Sequence, residues 1–264
     1  MAKQKGMKKK HRIRNSIENI ILLIAIAVFC FAAYKIISSQ LEYKQANDEY
    51  DKLNTAYVKI EAAPEIVEID GEEVMENPID FAGLEAENSD IVAWIEIGAI
   101  EASYPVMQAE DNDFYLHRTF EKVYNFAGCI FLDYNNKADF TDKNTIIYGH
   151  NMKNGSMFGN LKKFKEEGVY ESNPYIWVYT KDYIYKYEIY ACQEISVNKR
   201  LPINLASNRR FMEYVRESLE NSDIDTKVTV DKDDRVISLY TCTTNSSSRF
   251  IVNAKLVEQY KSKN

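Results

Sequence analysis

The sequence predicts a mainly β fold: a closed or nearly closed barrel of roughly eight strands with helices outside it. A single membrane-spanning helix and a helical stalk precede the barrel. Three observations lead there. One uncharged apolar run lies near the N-terminus, behind a cluster of cations. Short apolar or alternating runs separated by polar turns fill most of the chain beyond residue 90. Nineteen Tyr and twelve Phe, many in those runs, favour strands.

The N-terminal elements come first. Lys3, Lys5, Lys8, Lys9, Lys10, Arg12 and Arg14 precede an uncharged stretch from Asn19 to Tyr34. Ile20 to Ile37 would rise about 27 Å as a helix, close to the hydrocarbon thickness of a bilayer. Lys35 can snorkel to the headgroups. The basic flank should stay cytoplasmic and the rest of the chain outside. A cleaved signal peptide lacks a small-x-small site here. A lipoprotein site at Cys30 would want a small residue where Phe29 stands, and a buried soluble helix would not carry seven cations in front of it. The divisions expected are a basic tail at 1–16, an anchor at 17–37, a stalk and linker at 38–77, and the main domain at 78–264.

Tyr43, Ala46, Tyr50, Leu53, Tyr57 and Ile60 recur at spacings of three and four, a helical stripe from Gln40 to about Ala62. It suits either a coiled-coil dimer or, preferably, a stalk packing on its own domain, because three heptads are marginal for a coiled coil. Pro64 should end the helix, with an acidic linker to Asn77-Pro78. Asp80 to Glu87 reads as a short helix with Phe81 and Leu84 inward. Strands are expected at 91–97, 102–107, 128–134, 145–148, 175–179, 183–191, 236–240 and 250–257. Thr180-Lys181-Asp182 makes a hairpin turn, and helical interruptions fall at 158–166 and 209–220.

Composition excludes several classes. The chain has 264 residues and a net charge of −7, yet residues 1–14 hold seven cations and no acid, leaving −14 on the other 250. So acidic a body is a poor partner for nucleic acid. There is no HExxH, CxxC pair, GxSxG or Gly-rich phosphate loop, so zinc proteases, α/β-hydrolases and nucleotide enzymes lack their parts. No metal or cofactor is expected.

The candidates for chemistry are few. Of three His, His11 lies in the basic tail. His150 follows the strand 145–148, where rigid scaffolds present catalytic groups. His117, in a helix-like aromatic segment from Asp113 to Arg118, reads as structural or surface. Cys30 lies in the membrane span. Cys129 and Cys192 sit inside apolar strands as small hydrophobes, with a disulfide between them as the alternative. Cys242 ends a strand and opens the polar loop Thr243–Ser248, before Arg249 starts the next strand. A thiol at a strand mouth near a cation favours thiolate. Nucleophile, acid/base and a guanidinium for the developing oxyanion together point to acyl transfer through a thioester.

Ser238-Leu239-Tyr240-Thr241-Cys242 resembles the sortase signature TLxTC, with Arg249 in the place of that family's Arg. Tyr148-Gly149-His150-Asn151-Met152, followed by Gly155 to Leu161, is similar to the His region of class B sortases. Ala93-Trp94-Ile95, Tyr104 to Gln108, Asp111 to Leu116 and Ile130 to Tyr134 match further class B segments in order. The resemblance spans about residues 78–258. It implies a sortase-like eight-stranded barrel and a membrane-anchored cysteine transpeptidase of a Gram-positive surface. In that role Cys242 is the nucleophile, His150 the general acid/base and Arg249 the oxyanion and substrate stabiliser. The substrates implied are surface proteins with a C-terminal sorting signal, NPxTN-like in class B, cleaved after Thr. The acceptor is a peptidoglycan precursor amine or, in pilus-building relatives, a pilin lysine; a hydrolytic variant and a non-catalytic binding module are the other readings. Thr241, Tyr240, Asn112 and Ser248 are candidate substrate-binding residues. Ser238 replaces the motif's first Thr, Tyr240 takes a position usually small, and six residues separate Cys242 from Arg249.

Overall fold

The computed structural model describes residues 2–59, 66–69, 71–199, 201–202, 205, 207–242 and 247–263, with 2–17 and 242 described by backbone alone. Helix α1 runs Ala2–Tyr57. The chain divides into two compact units, Met1–Gln45 and Ala46–Asn264. In the first, the apolar side chains from Ile20 to Ile37 stand largely exposed. The stretch Glu18–Tyr57 is, among the described residues, the one helix long and apolar enough to cross a membrane.

In the second unit, the C-terminal turns of α1 pack on the barrel. Ala46, Tyr50 and Leu53 are buried. Asn54 Nδ2 donates to Ser103 O at 3.0 Å, and Ser103 Oγ donates to Asn54 Oδ1 at 2.7 Å while accepting from Trp94 Nε1 at 2.9 Å. The stripe thus serves as a stalk docked on its own domain. The helix stops at Tyr57, short of the expected Ala62; Ile60 and Pro64 lie outside the described residues.

The acidic stretch read as a linker is instead a hairpin, β1 (Ile66–Ile69) with β2 (Glu72–Glu76). What makes it a hairpin is pairing: β2 buries Val74 and Met75 and finds a second partner near the end of the chain, pairing Val74 with Lys261. Short helix α2 (Phe81–Glu87) is capped by Asp80, whose Oδ1 accepts from Gly83 N at 3.0 Å, and it buries Phe81 and Leu84.

The remaining strands are β3 (Ile91–Ile97), β4 (Ala102–Met107), β5 (Ile130–Leu132), β6 (Asn144–His150), β7 (Tyr175–Tyr179), β8 (Tyr183–Ser196), β9 (Val236–Cys242) and β10 (Ser248–Lys263). Their order is β10-β8-β7-β3-β4-β5-β6-β9, and β9 pairs back onto β10, closing a barrel of eight strands. Ile95, Val106, Ile130, Ile147, Leu239 and Val252 are each at most 1% exposed within it. A 3₁₀ turn at Leu161–Lys165 and the four-residue helix α3 (Val169–Ser172) fill the β6–β7 crossover. Helix α4 (Asn208–Glu220) starts at Ser207, whose side chain accepts from Arg210 N, and packs Phe211, Tyr214 and Val215 against Tyr190 and Val236. The β7–β8 turn is the expected hairpin, with Thr180 N donating to Tyr183 O at 2.8 Å. Strands β8 and β10 run longer than their apolar cores because they pair with each other over nearly their whole length, charged ends included. Residues 113–117 form bends and turns rather than a helix, and Arg118 makes an isolated antiparallel bridge with Tyr124.

Candidate active site

The site lies where three strands end or begin together. β6 and β9 run parallel and in register from Asn144 with Val236 to His150 with Cys242. Ninety-two positions separate those last two residues in the chain, yet neighbouring strands put their backbones about 4.8 Å apart. β10 returns antiparallel beside β9, its last ladder pair there being Ile251 with Tyr240. Phe250 N then donates to Thr241 Oγ1 at 2.9 Å, and the next positions on the two strands are Cys242 and Arg249. The polar loop 243–246 lies outside the described residues.

His150 is half-buried, and its Nε2 lies 2.7 Å from Leu116 O. A carbonyl can only accept, so Nε2 carries the proton of that bond. Just before it, Gly149 is packed closely: a Cβ there would stand 2.5 Å from Ile130 Cδ1 and 2.7 Å from Phe158 Cδ2. Arg249 is half-buried, with Nη1 donating to Ser248 O at 3.1 Å.

Two positions below, Tyr148 and Tyr240 pair and their rings meet edge to face at 5.5 Å; Phe131 stacks on Tyr148 at 5.2 Å. Tyr148 OH donates to Asp133 Oδ2 at 2.8 Å, and Asn112 Nδ2 donates to the same oxygen at 2.8 Å. Asn112 Oδ1 in turn accepts from Tyr134 N at 3.0 Å. Asp133 is 1% exposed, so it acts as a buried organiser of the aromatic wall.

Of the expected substrate-binding residues, Tyr240 and Ser248 are half-buried beside the strand ends. Thr241 differs: it is 2% exposed, with its hydroxyl taken up between β9 and β10. Asn112 ties two loops together through both ends of its amide. The structure also brings in a residue read as structural or surface. The His117 ring lies 6.2 Å from those of both His150 and Tyr124. Its place in an aromatic segment carried no such signal, because the approach is set by the fold of residues 115–129. Cys129 and Cys192 are both buried free thiols, so the disulfide alternative is not realised. Burial pushes the Cys192 thiol up to about 12 and raises that of Cys129 as well.

The sortase domain family matches residues 95–257, more than half of the chain. The chain belongs to the sortase family. Sortase B of Listeria monocytogenes is 32% identical over 250 residues, covering 93% of this chain and 99% of that protein. Sortase B of Staphylococcus aureus is 27% identical over 247 residues, covering 92% and 96%. Among solved structures, Bacillus anthracis sortase B in complex with AAEK1 superposes with a TM-score of 0.71 at 28% identity, over 83% of this chain and 99% of that one. The Staphylococcus aureus sortase B–substrate complex gives 0.69 at 25% identity, over 83% and 99%. This sortase is of class B, a cysteine transpeptidase, and its closed eight-stranded barrel is the one those structures share.

Proposed function

We propose that this sortase cleaves an NPxTN-like C-terminal sorting signal after its Thr and transfers the surface protein to an amine of the cell-wall peptidoglycan. Cys242 is the nucleophile, His150 the general acid/base and Arg249 the oxyanion stabiliser. The observation that carries this reading is the parallel β6–β9 register, which ends with His150 beside Cys242 while Arg249 is the second residue of the adjoining strand.

The Cys242 thiolate attacks the Thr carbonyl carbon, forming the C–S bond, and the oxyanion is held by the Arg249 guanidinium. Protonated His150 gives its Nδ1 proton to the leaving amine as the C–N bond breaks. The acceptor amine then attacks the thioester, His150 takes its proton, and the thiolate departs as the new amide forms. Leu116 O, bonded to Nε2, holds the ring so that Nδ1 does this work. Tyr240 and Ser248 border the groove, and Thr241 and Asn112 brace it from behind. The N-terminal helix anchors the protein in the membrane, with the basic tail cytoplasmic and the barrel outside, in agreement with seven cations before the apolar run.

The test uses the full chain in detergent micelles with quenched fluorescent sorting-signal peptides, with and without amine acceptors. Cleavage after Thr, amide formation, and loss of both in Cys242→Ala and His150→Ala are expected by mass spectrometry. Free acid alone, even with peptidoglycan-type amines present, would refute transfer to the wall; unchanged turnover in either variant would refute the site.

A further inference from the structure

What orients His150 is a backbone carbonyl, and what holds that carbonyl comes from the stalk. Leu116 O belongs to the irregular segment 115–129, which doubles back on itself: Asn125 N donates to His117 O at 3.0 Å and Cys129 N to Tyr115 O at 2.9 Å. Gly128 sits against the carbonyl. Its φ is +57°, and a Cβ there would lie 2.6 Å from Leu116 O and 2.7 Å from Tyr115 O. No side chain fits between them, so the position of Gly128 sets the position of the Leu116 oxygen.

Gly128 is itself held from α1. The hydroxyl of Tyr50, 3% exposed, donates to Gly128 O at 2.7 Å and lies 3.1 Å from Cys129 Sγ. One residue earlier, Glu49 Oε1 accepts from Glu121 N at 2.9 Å, fixing the tip of the same segment. From β6 outward, contacts therefore run from His150 to Leu116 O, to Gly128, to Tyr50.

We propose that Gly128 and Tyr50 are positioning residues for the catalytic imidazole, so that the last turns of the stalk helix form part of the active-site support. This rests on His150 being the acid/base. A base needs a third group to orient it, and here that group is a carbonyl whose place depends on a missing side chain and a buried phenol. An acceptor on Nε2 also favours the doubly protonated ring, which the thiolate partner requires. A displaced carbonyl would thus lower the pH at which His150 titrates and slow acyl transfer, while leaving the peptide groove unchanged.

The experiment compares Gly128→Ala, Tyr50→Phe and a remote control, Tyr185→Phe, which loses only a hydrogen bond to Asp139 O on another part of the barrel. The full chain in micelles is used well below each Tm. Gly128→Ala should lower kcat by roughly 10–100-fold, by analogy with the loss seen when the hydrogen-bond partners of metal-bound His are removed. Tyr50→Phe should lower it about 2–10-fold, equivalent to one ordinary hydrogen bond. In both, KM for the peptide should stay within about 2-fold, and the His150 titration, followed by NMR of the chain's three His, should move down. The control should change neither. If Gly128→Ala does not fold, Tyr50→Phe decides. Folded variants with wild-type kcat and an unmoved titration, or with losses confined to KM, would overturn the proposal. His150→Ala separates the two layers: full activity there would sink the acid/base reading itself, whereas a dead His150→Ala beside an unaffected Gly128→Ala would sink only the positioning role.

Discussion

Replacing Tyr214 by Phe removes one hydroxyl from a buried network that ties helix α4 to the three strands bearing Cys242, His150 and Arg249. Tyr214 OH donates to Asn253 Oδ1 on β10 at 2.7 Å and lies 2.8 Å from Ser238 Oγ on β9. Ser238 Oγ lies 2.8 Å from Asn144 Oδ1 on β6 and 2.9 Å from Asn253 Oδ1. Tyr214 is 6% exposed and the other three are fully buried. Ser238 has one proton and two acceptors facing it. Once the phenol proton is gone, Asn144 and Asn253 compete for that single donor and one buried carbonyl goes unpaired. The ring stays, so no packing is lost, and the cost is that of one orphaned buried acceptor, about 1–3 kcal/mol. For a body of this size that is a fall in Tm of roughly 2–4 °C per kcal/mol. Ser238→Ala should cost a similar amount through the same contacts. The double variant leaves both carbonyls unpaired, so its cost should be close to the sum of the two singles. Urea unfolding of the four chains of the cycle, monitored by fluorescence and circular dichroism, measures it. A loss below about 0.5 kcal/mol in either single variant would refute the network.

Three further outcomes follow from particular contacts. Burial raises the carboxyl of Glu49 above its usual value near 4.5; the folded state then holds a proton that the unfolded state has released, so this group's contribution falls as pH rises above about 4.5 through its folded value. Glu49→Gln should flatten the chain's stability-versus-pH curve over that window, and an unchanged curve would contradict it. Burial holds the Cys192 thiol far above its ordinary value, so at pH 8 it is far less thiolate than an exposed cysteine. Brief iodoacetamide treatment of folded protein should therefore leave Cys192 and Cys129 unmodified by peptide mapping while Cys242 reacts, and early labelling of either would count against their burial. Tyr240→Ser removes the ring that meets Tyr148 edge-on; it should shift KM ratios among sorting-signal peptides several-fold with kcat nearly kept, and identical preferences would remove Tyr240 from the groove.

Much of the barrel was legible because strand patterns are local. β3, β4 and β7 fall on the expected residues, since apolar content and flanking turns bound each of them within a few positions. The hairpin at Ile66–Glu76 escaped notice because its Glu-rich composition reads as solvated chain. Its strand character is completed by pairing with Lys261–Lys263, far along the sequence. Cys242, His150 and Arg249 could be singled out from their places at strand ends and from the motif around them. His117, Leu116 O, Gly128 and Tyr50 could not. A carbonyl has no residue type to betray it, and a phenol in a helical stripe looks like any other core contact.

By itself the sequence determined the membrane-length apolar helix, the strand inventory and the residue types able to carry thiol acyl transfer, because each depends on neighbours within a turn or a strand. The tertiary structure alone decided which strands close on which, how β6 and β9 come into register, and that the stalk reaches the imidazole through Gly128. Those depend on pairings between segments tens of residues apart, where barrel closure and packing choose among registers that local patterns leave equally open.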